Sequence, residues 1–103
     1  MPRDNYPKRS DPSAIPEIAR RLRLFRKAVA KNQTELCTHT GMTRAAWSNY
    51  ENARDRIGLD AAMKLCRTYG VTLDWIYFGG EEYLRSHLIK SLREAEKADP
   101  ETE

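Results

Sequence analysis

Metal and thiol chemistry have little to work with in this chain. It holds two cysteines and two histidines, with Cys37 and Cys66 29 positions apart and His39 and His87 48 apart. No C-x-x-C pair occurs and no Cys/His set has zinc-ligand spacing; Cys37 and His39, two apart on a helix, face different directions. No metal or cofactor is expected, and both cysteines read as small buried hydrophobes. Apolar runs long enough to cross a bilayer are missing too, and nothing reads as a signal peptide. The expectation is a soluble, cytoplasmic, thiol-reduced protein with no membrane partner. With 103 residues, 40% of them apolar, the chain can build one small domain with a modest core. It has no room for a large enzyme with a deep cleft, so no enzymatic activity is expected.

Glycine and proline are sparse, five of each, and four of the prolines fall within the first 16 residues. That opening segment has no apolar period, which predicts a flexible arm over residues 1–14. Charge is unevenly distributed. Residues 17–58 carry nine Lys/Arg against four acids, whereas residues 81–103 carry four against seven. A basic middle and an acidic end suit a protein that meets a polyanion with one part and stays dispersed with the other.

Apolar periodicity then marks out helices. Ile15, Ile18, Leu22, Phe25 and Val29 recur at offsets 0, 3, 7, 10 and 14, one face of a first helix. Asn32 has the chemistry of an N-cap for a second helix beginning at Gln33, with Glu35 as its capping-box partner. Gly41 ends that helix, since glycine enters the left-handed region without steric cost. Thr43 caps a third helix running to about Asn52, with Met42 and Trp47 placed as a hydrophobic staple. Leu59, Ala62, Met63, Cys66 and Tyr69 form the inner face of a fourth helix closed by Gly70, and Thr72 and Gly79 bound a short fifth. Trp47, Tyr50 and Trp75 read as packing residues rather than stacking platforms for bases.

Those residues carry a resemblance. Gln33, Leu36, Gly41, Thr43, Ser48, Glu51 and Asn52, followed by "YGV" and "LDWIYFG", make the run from Ile18 to Gly79 similar to the Cro/C1-type helix-turn-helix family of phage and bacterial repressors. The resemblance implies an all-α fold, a five-helix lambda-repressor-like DNA-binding domain over residues 15–80, with an additional C-terminal helix. It also implies that the third helix is the recognition helix, and that Arg26 and Glu51 form a partly buried ion pair joining it to the first. Ala53 and Ile57 depart from the family pattern, which usually has Gly and Pro there.

Groove chemistry supports the same assignment. An α-helix fits the major groove, where each base pair shows a distinct set of donors, acceptors and methyls. Arg44 suits guanine O6 and N7, Asn49 suits adenine, and the Ala45 methyl suits a thymine methyl, with Thr43 and Ser48 on the same outer face. Gln33, at the start of the second helix, is expected near a phosphate, where the helix dipole favours an anion. Asn52, Arg54 and Arg56 are expected to hold the backbone without reading sequence.

Beyond residue 80, residues 81–97 show a helical stripe of Leu84, Leu88, Leu92 and Ala95, followed by an acidic tail at 98–103. A stripe outside a complete core predicts a homodimer made through Leu84, Leu88 and Leu92; the competing expectation is that it folds back on its own domain. The reading is a sequence-specific, double-stranded-DNA-binding regulator, a dimeric repressor on a pseudo-palindromic operator. The alternative is an antitoxin-like protein that binds a toxin partner and autoregulates its operon.

Overall fold

The computed structural model describes residues 11–98. Six helices follow one another: α1 (Ile15–Val29), α2 (Gln33–Thr40), α3 (Arg44–Glu51), α4 (Leu59–Tyr69), α5 (Leu73–Phe78) and α6 (Ser86–Ala98), with no strand among the described residues. The fold is all-α, five helices with an additional C-terminal one.

The caps foreseen in the sequence bound the elements. Asn32 Oδ1 accepts the Glu35 N–H at 2.9 Å, while the Glu35 carboxylate reaches back to the N–H of Lys31, one residue beyond the usual capping-box partner. Thr43 Oγ1 accepts from Ala46 N at 3.1 Å and Thr72 Oγ1 from Trp75 N at 3.0 Å. Gly41 stands left-handed at φ 80° and its N–H closes α2 on the Cys37 carbonyl, the geometry that releases the chain into α3.

The core is built from Ile18, Leu22 and Phe25 of α1, Leu36 of α2, Trp47 of α3, Ala62 and Leu65 of α4, and Trp75 and Ile76 of α5. Phe25 lies at its centre, with Tyr69 edge-on at 5.3 Å and Trp75 tilted at 5.9 Å between ring centroids. On α4 the buried side chains are Ala62 and Leu65, while Leu59 and Met63 are exposed and Cys66 and Tyr69 half-buried. The face is rotated from the expected one, and Ile57, just before α4, is the residue buried in the core there, not Leu59.

The C-terminal stripe requires a correction. Leu84, Leu88 and Leu92 are not a free dimerisation face: they are 7%, 4% and 4% exposed within the single chain and join its main core cluster. α6 lies on α1, on the side that carries Leu24, so α1 is apolar on more of its circumference than one stripe provides. Residues 81–85 form a turn instead of helix, pinned by Arg93, whose two nitrogens donate to the Glu81 carboxylate at 2.9 and 2.6 Å.

α1 also buries a charge. Arg21 is 6% exposed and donates from Nε and Nη2 to the Ile76 carbonyl at 3.2 and 2.9 Å, and from Nη2 to the Pro12 carbonyl at 2.6 Å. Residues 11–14 are accordingly an ordered turn, with Ser13 donating to the Asp11 carboxylate from both its N–H and its hydroxyl. The remainder of the expected arm, residues 1–10, and the acidic tail from residue 99 onward lie outside the described residues.

Candidate nucleic-acid interface

Three anchors fix the orientation of α3. Trp47 is fully buried, and its indole N–H donates to the Glu51 carboxylate one turn later. Glu51 is gripped from α1 by Arg26, Nε to Oε2 at 2.6 Å and Nη2 to Oε1 at 3.1 Å, the bidentate pair that the family resemblance implies. At the other end, the Cys37 thiol of α2 contacts the Thr43 carbonyl at 3.7 Å. Burial pushes the Cys37 thiol above its ordinary value, partly opposed by the Arg44 charge; burial pushes Cys66 up as well. Both therefore disfavour the thiolate that redox chemistry uses.

With Trp47 inward, the opposite face of α3 carries the predicted residues. Thr43, Arg44, Ala45 and Asn52 are exposed, and Ser48 and Asn49 half-buried. Arg44 Nη1 donates to Thr34 Oγ1 at 3.1 Å, which draws the start of α3 toward the start of α2, where half-buried Gln33 is the first residue. Asn52 Nδ2 donates to Ser48 Oγ at 3.1 Å along the same face. Thr34 escaped the sequence reading; its signal was a hydroxyl beside Gln33 in the first turn of a helix, where unpaired backbone N–H groups also gather.

The loop after α3 is folded back on it. Ala53 adopts φ 60°, and the N–H groups of Arg54 and Asp55 both donate to the Asn49 carbonyl, at 2.9 and 3.3 Å. Ala53 thus takes the left-handed conformation that glycine supplies at no cost. Ile57 anchors the far end, with its carbonyl accepting from the Tyr77 hydroxyl at 2.8 Å. Arg54 is exposed on this loop, but Arg56 is not gathered with the others: its guanidinium donates to the Ser13 carbonyl ahead of α1.

Beside the recognition face, an open groove of ≈ 410 Å³ separates α3 from the start of α4, with Thr43 and Ala46 on one wall and Lys64 on the other. Lys64 adds a positive charge that the sequence reading did not single out.

Residues 17–74 match a family model described as a helix-turn-helix domain, a match that spans α1 to the start of α5. The chain belongs to the helix-turn-helix family. Its α2, Gly41 turn and α3 are the two helices and turn of that motif, and it is a DNA-binding helix-turn-helix protein. No curated protein and no solved structure gives a significant match to it. Among the described residues, no helix is long and apolar enough to cross a membrane.

Proposed function

We propose that this helix-turn-helix protein is a sequence-specific transcriptional regulator of the Cro/C1 type, a cytoplasmic repressor that binds a pseudo-palindromic operator as a homodimer and occludes a promoter, acting by binding rather than catalysis. The observation that carries the reading is the outer face of α3. Arg44, Ala45 and Asn49 offer a guanidinium fork, a methyl and an amide on one solvent-facing surface, held there by the buried Trp47–Glu51–Arg26 anchor. Those are the groups that distinguish base edges in the major groove. Arg54 and Gln33, flanking that face, supply contacts to phosphates.

Dimerisation in this reading uses a surface other than the α6 stripe. Ile76 is fully buried, so on α5 the available apolar groups are Phe78, 58% exposed, and Leu73, 37% exposed. The alternative of a toxin partner held by the tail or the acidic end loses the Leu84–Leu88–Leu92 stripe as a docking face, because those side chains are buried within the chain itself.

Selection on random duplex DNA, with sedimentation of the enriched complex, tests the proposal. An inverted repeat with half-sites about one helical turn apart, bound by two chains, is expected. Enrichment of no motif would overturn the sequence-specific reading, and a single half-site bound by one chain would overturn the dimer.

A further inference from the structure

The loop between α3 and α4 carries exposed Arg54 and is held at both ends. At the near end the N–H groups of Arg54 and Asp55 share the Asn49 carbonyl, at 2.9 and 3.3 Å. At the far end the Ile57 side chain is buried, and its carbonyl accepts a hydrogen bond at 2.8 Å from the hydroxyl of Tyr77, 20 residues on in α5. Tyr77 follows Trp75 and Ile76, both buried in the core, so its ring rides on a fixed helix. Burial pushes the Tyr77 phenol above its ordinary pKa of 10, and the hydroxyl keeps the proton it donates.

Between those ends the backbone is under strain. Ala53 stands at φ 60°, and a residue other than glycine stays in that region only where its surroundings hold it there. Asn49 holds one side. On the other, isoleucine leaves its own backbone free where a proline ring would fix it. Its buried side chain anchors the residue without setting the direction of the carbonyl; the Tyr77 hydroxyl sets that. Arg56 ties the loop to the Ser13 carbonyl as well, but through a long side chain that constrains the backbone little. Without the Tyr77 hydroxyl the far end is released, Ala53 can relax, and Arg54 moves with it.

We infer that Tyr77 is a positioning residue for DNA binding: its hydroxyl fixes the Ile57 carbonyl, and through it the loop shape that presents Arg54 to a phosphate. Tyr77 acts through the loop, not by touching DNA. On a fixed loop, part of the ordering that binding demands of Arg54 is already done. The inference rests on the assignment of Arg54 to the DNA backbone made above.

The experiment compares wild type, Arg54→Ala, Tyr77→Phe and the double variant on a random-sequence duplex over a salt series, which reads backbone contacts without an operator. Arg54→Ala is expected to lose about one unit of salt slope. Tyr77→Phe removes one oxygen and keeps the ring; it is expected to bind about threefold to tenfold more weakly, with the slope reduced in the same direction. In the double variant it should add no further loss, because both changes act on one contact. Amide hydrogen exchange of the free proteins provides a readout without DNA. In Tyr77→Phe the Arg54 and Asp55 amides should exchange faster than any global loss of stability, measured at the Trp47 amide, accounts for. Unchanged exchange at those two amides, wild-type DNA binding by Tyr77→Phe where Arg54→Ala is weakened, or a Tyr77→Phe loss of equal size with and without Arg54 would overturn the inference and leave the Arg54 assignment standing. Wild-type binding by Arg54→Ala would overturn that assignment, and the inference with it.

Discussion

Arg44 Nη1 and Thr34 Oγ1, on successive helices of the DNA-binding motif, stand 3.1 Å apart. The hydroxyl restrains a long side chain that otherwise gives up considerable rotamer freedom on reaching a base, so part of the ordering is done before DNA arrives. Arg44→Ala is expected to abolish preference at one or two positions in each half-site, costing roughly 1–3 kcal/mol per lost bidentate contact. Thr34→Val is expected to lower affinity by a smaller factor and leave base preference intact. Selections with both variants check this, and an unchanged motif for Arg44→Ala would remove it from the reading set.

Arg54 and Arg56 separate in the structure although they are two apart in the chain. Arg54→Ala is expected to weaken all DNA sequences about equally and to reduce the salt dependence by roughly one unit of slope. Arg56→Ala should change that slope less and lower the melting temperature slightly, because its guanidinium serves the Ser13 carbonyl. Affinities measured across a salt series distinguish the two.

Trp47→Ala is expected to destabilise the domain by about 3–5 kcal/mol, since it empties a fully buried site. The change also leaves Glu51 with one donor fewer. Trp47→Phe keeps most of the volume and removes the indole N–H, so it isolates the hydrogen bond to Glu51. Denaturant melts report both, and a Trp47→Ala protein that melts normally but loses DNA would make the indole a contact group.

Ala53→Gly should be stabilising. Relief of the left-handed conformation at φ 60° outweighs the extra freedom that glycine gives the unfolded chain, leaving a gain of roughly 0.5–1 kcal/mol. Thermal unfolding checks it, with DNA affinity as the control that the loop has kept its shape.

Leu88→Glu places an unpaired carboxylate in the contact between α1 and α6, so the expected outcome is loss of stability, by about 3 kcal/mol or more, rather than dissociation of a dimer. Acid acts on the same region more gently. Hydrogen bonding from Arg93 lowers the Glu81 pKa below its ordinary 4.5. Its contribution to stability is present in full above that value and is lost as pH falls through the lowered one. Arg93→Gln is expected to flatten that part of a melting-temperature-against-pH curve.

Local chemistry made most of the fold legible in advance. Asn32, Gly41, Thr43, Thr72 and Gly79 each act through neighbours a few residues away, so the sequence around them contained the whole argument. The outer face of α3 followed from the position of Trp47 on the opposite side. What could not be read was which distant surface an amphipathic helix would meet. The Leu84–Leu88–Leu92 stripe required burial, but its partner is the core of its own chain, met on the side of α1 that carries Leu24, an apolar residue outside the main stripe of that helix. Arg21 was hidden for the same reason: arginine reads as solvated until the Ile76 and Pro12 carbonyls, which no local pattern reveals, are brought to it.

The packing of α6 on α1 has a consequence for the order in which the molecule is made. α1 is synthesised before the other helices and α6 after them, so during translation Leu24 has to wait for Leu92. Contacts that close the longest loops form against the greatest loss of chain entropy, whereas the pairing of α2 with α3 needs only a tight turn. The nascent chain can therefore assemble its DNA-reading helices while one side of α1 is still bare, and each newly made molecule passes through an interval in which that side is open to chaperones or to another unfinished chain.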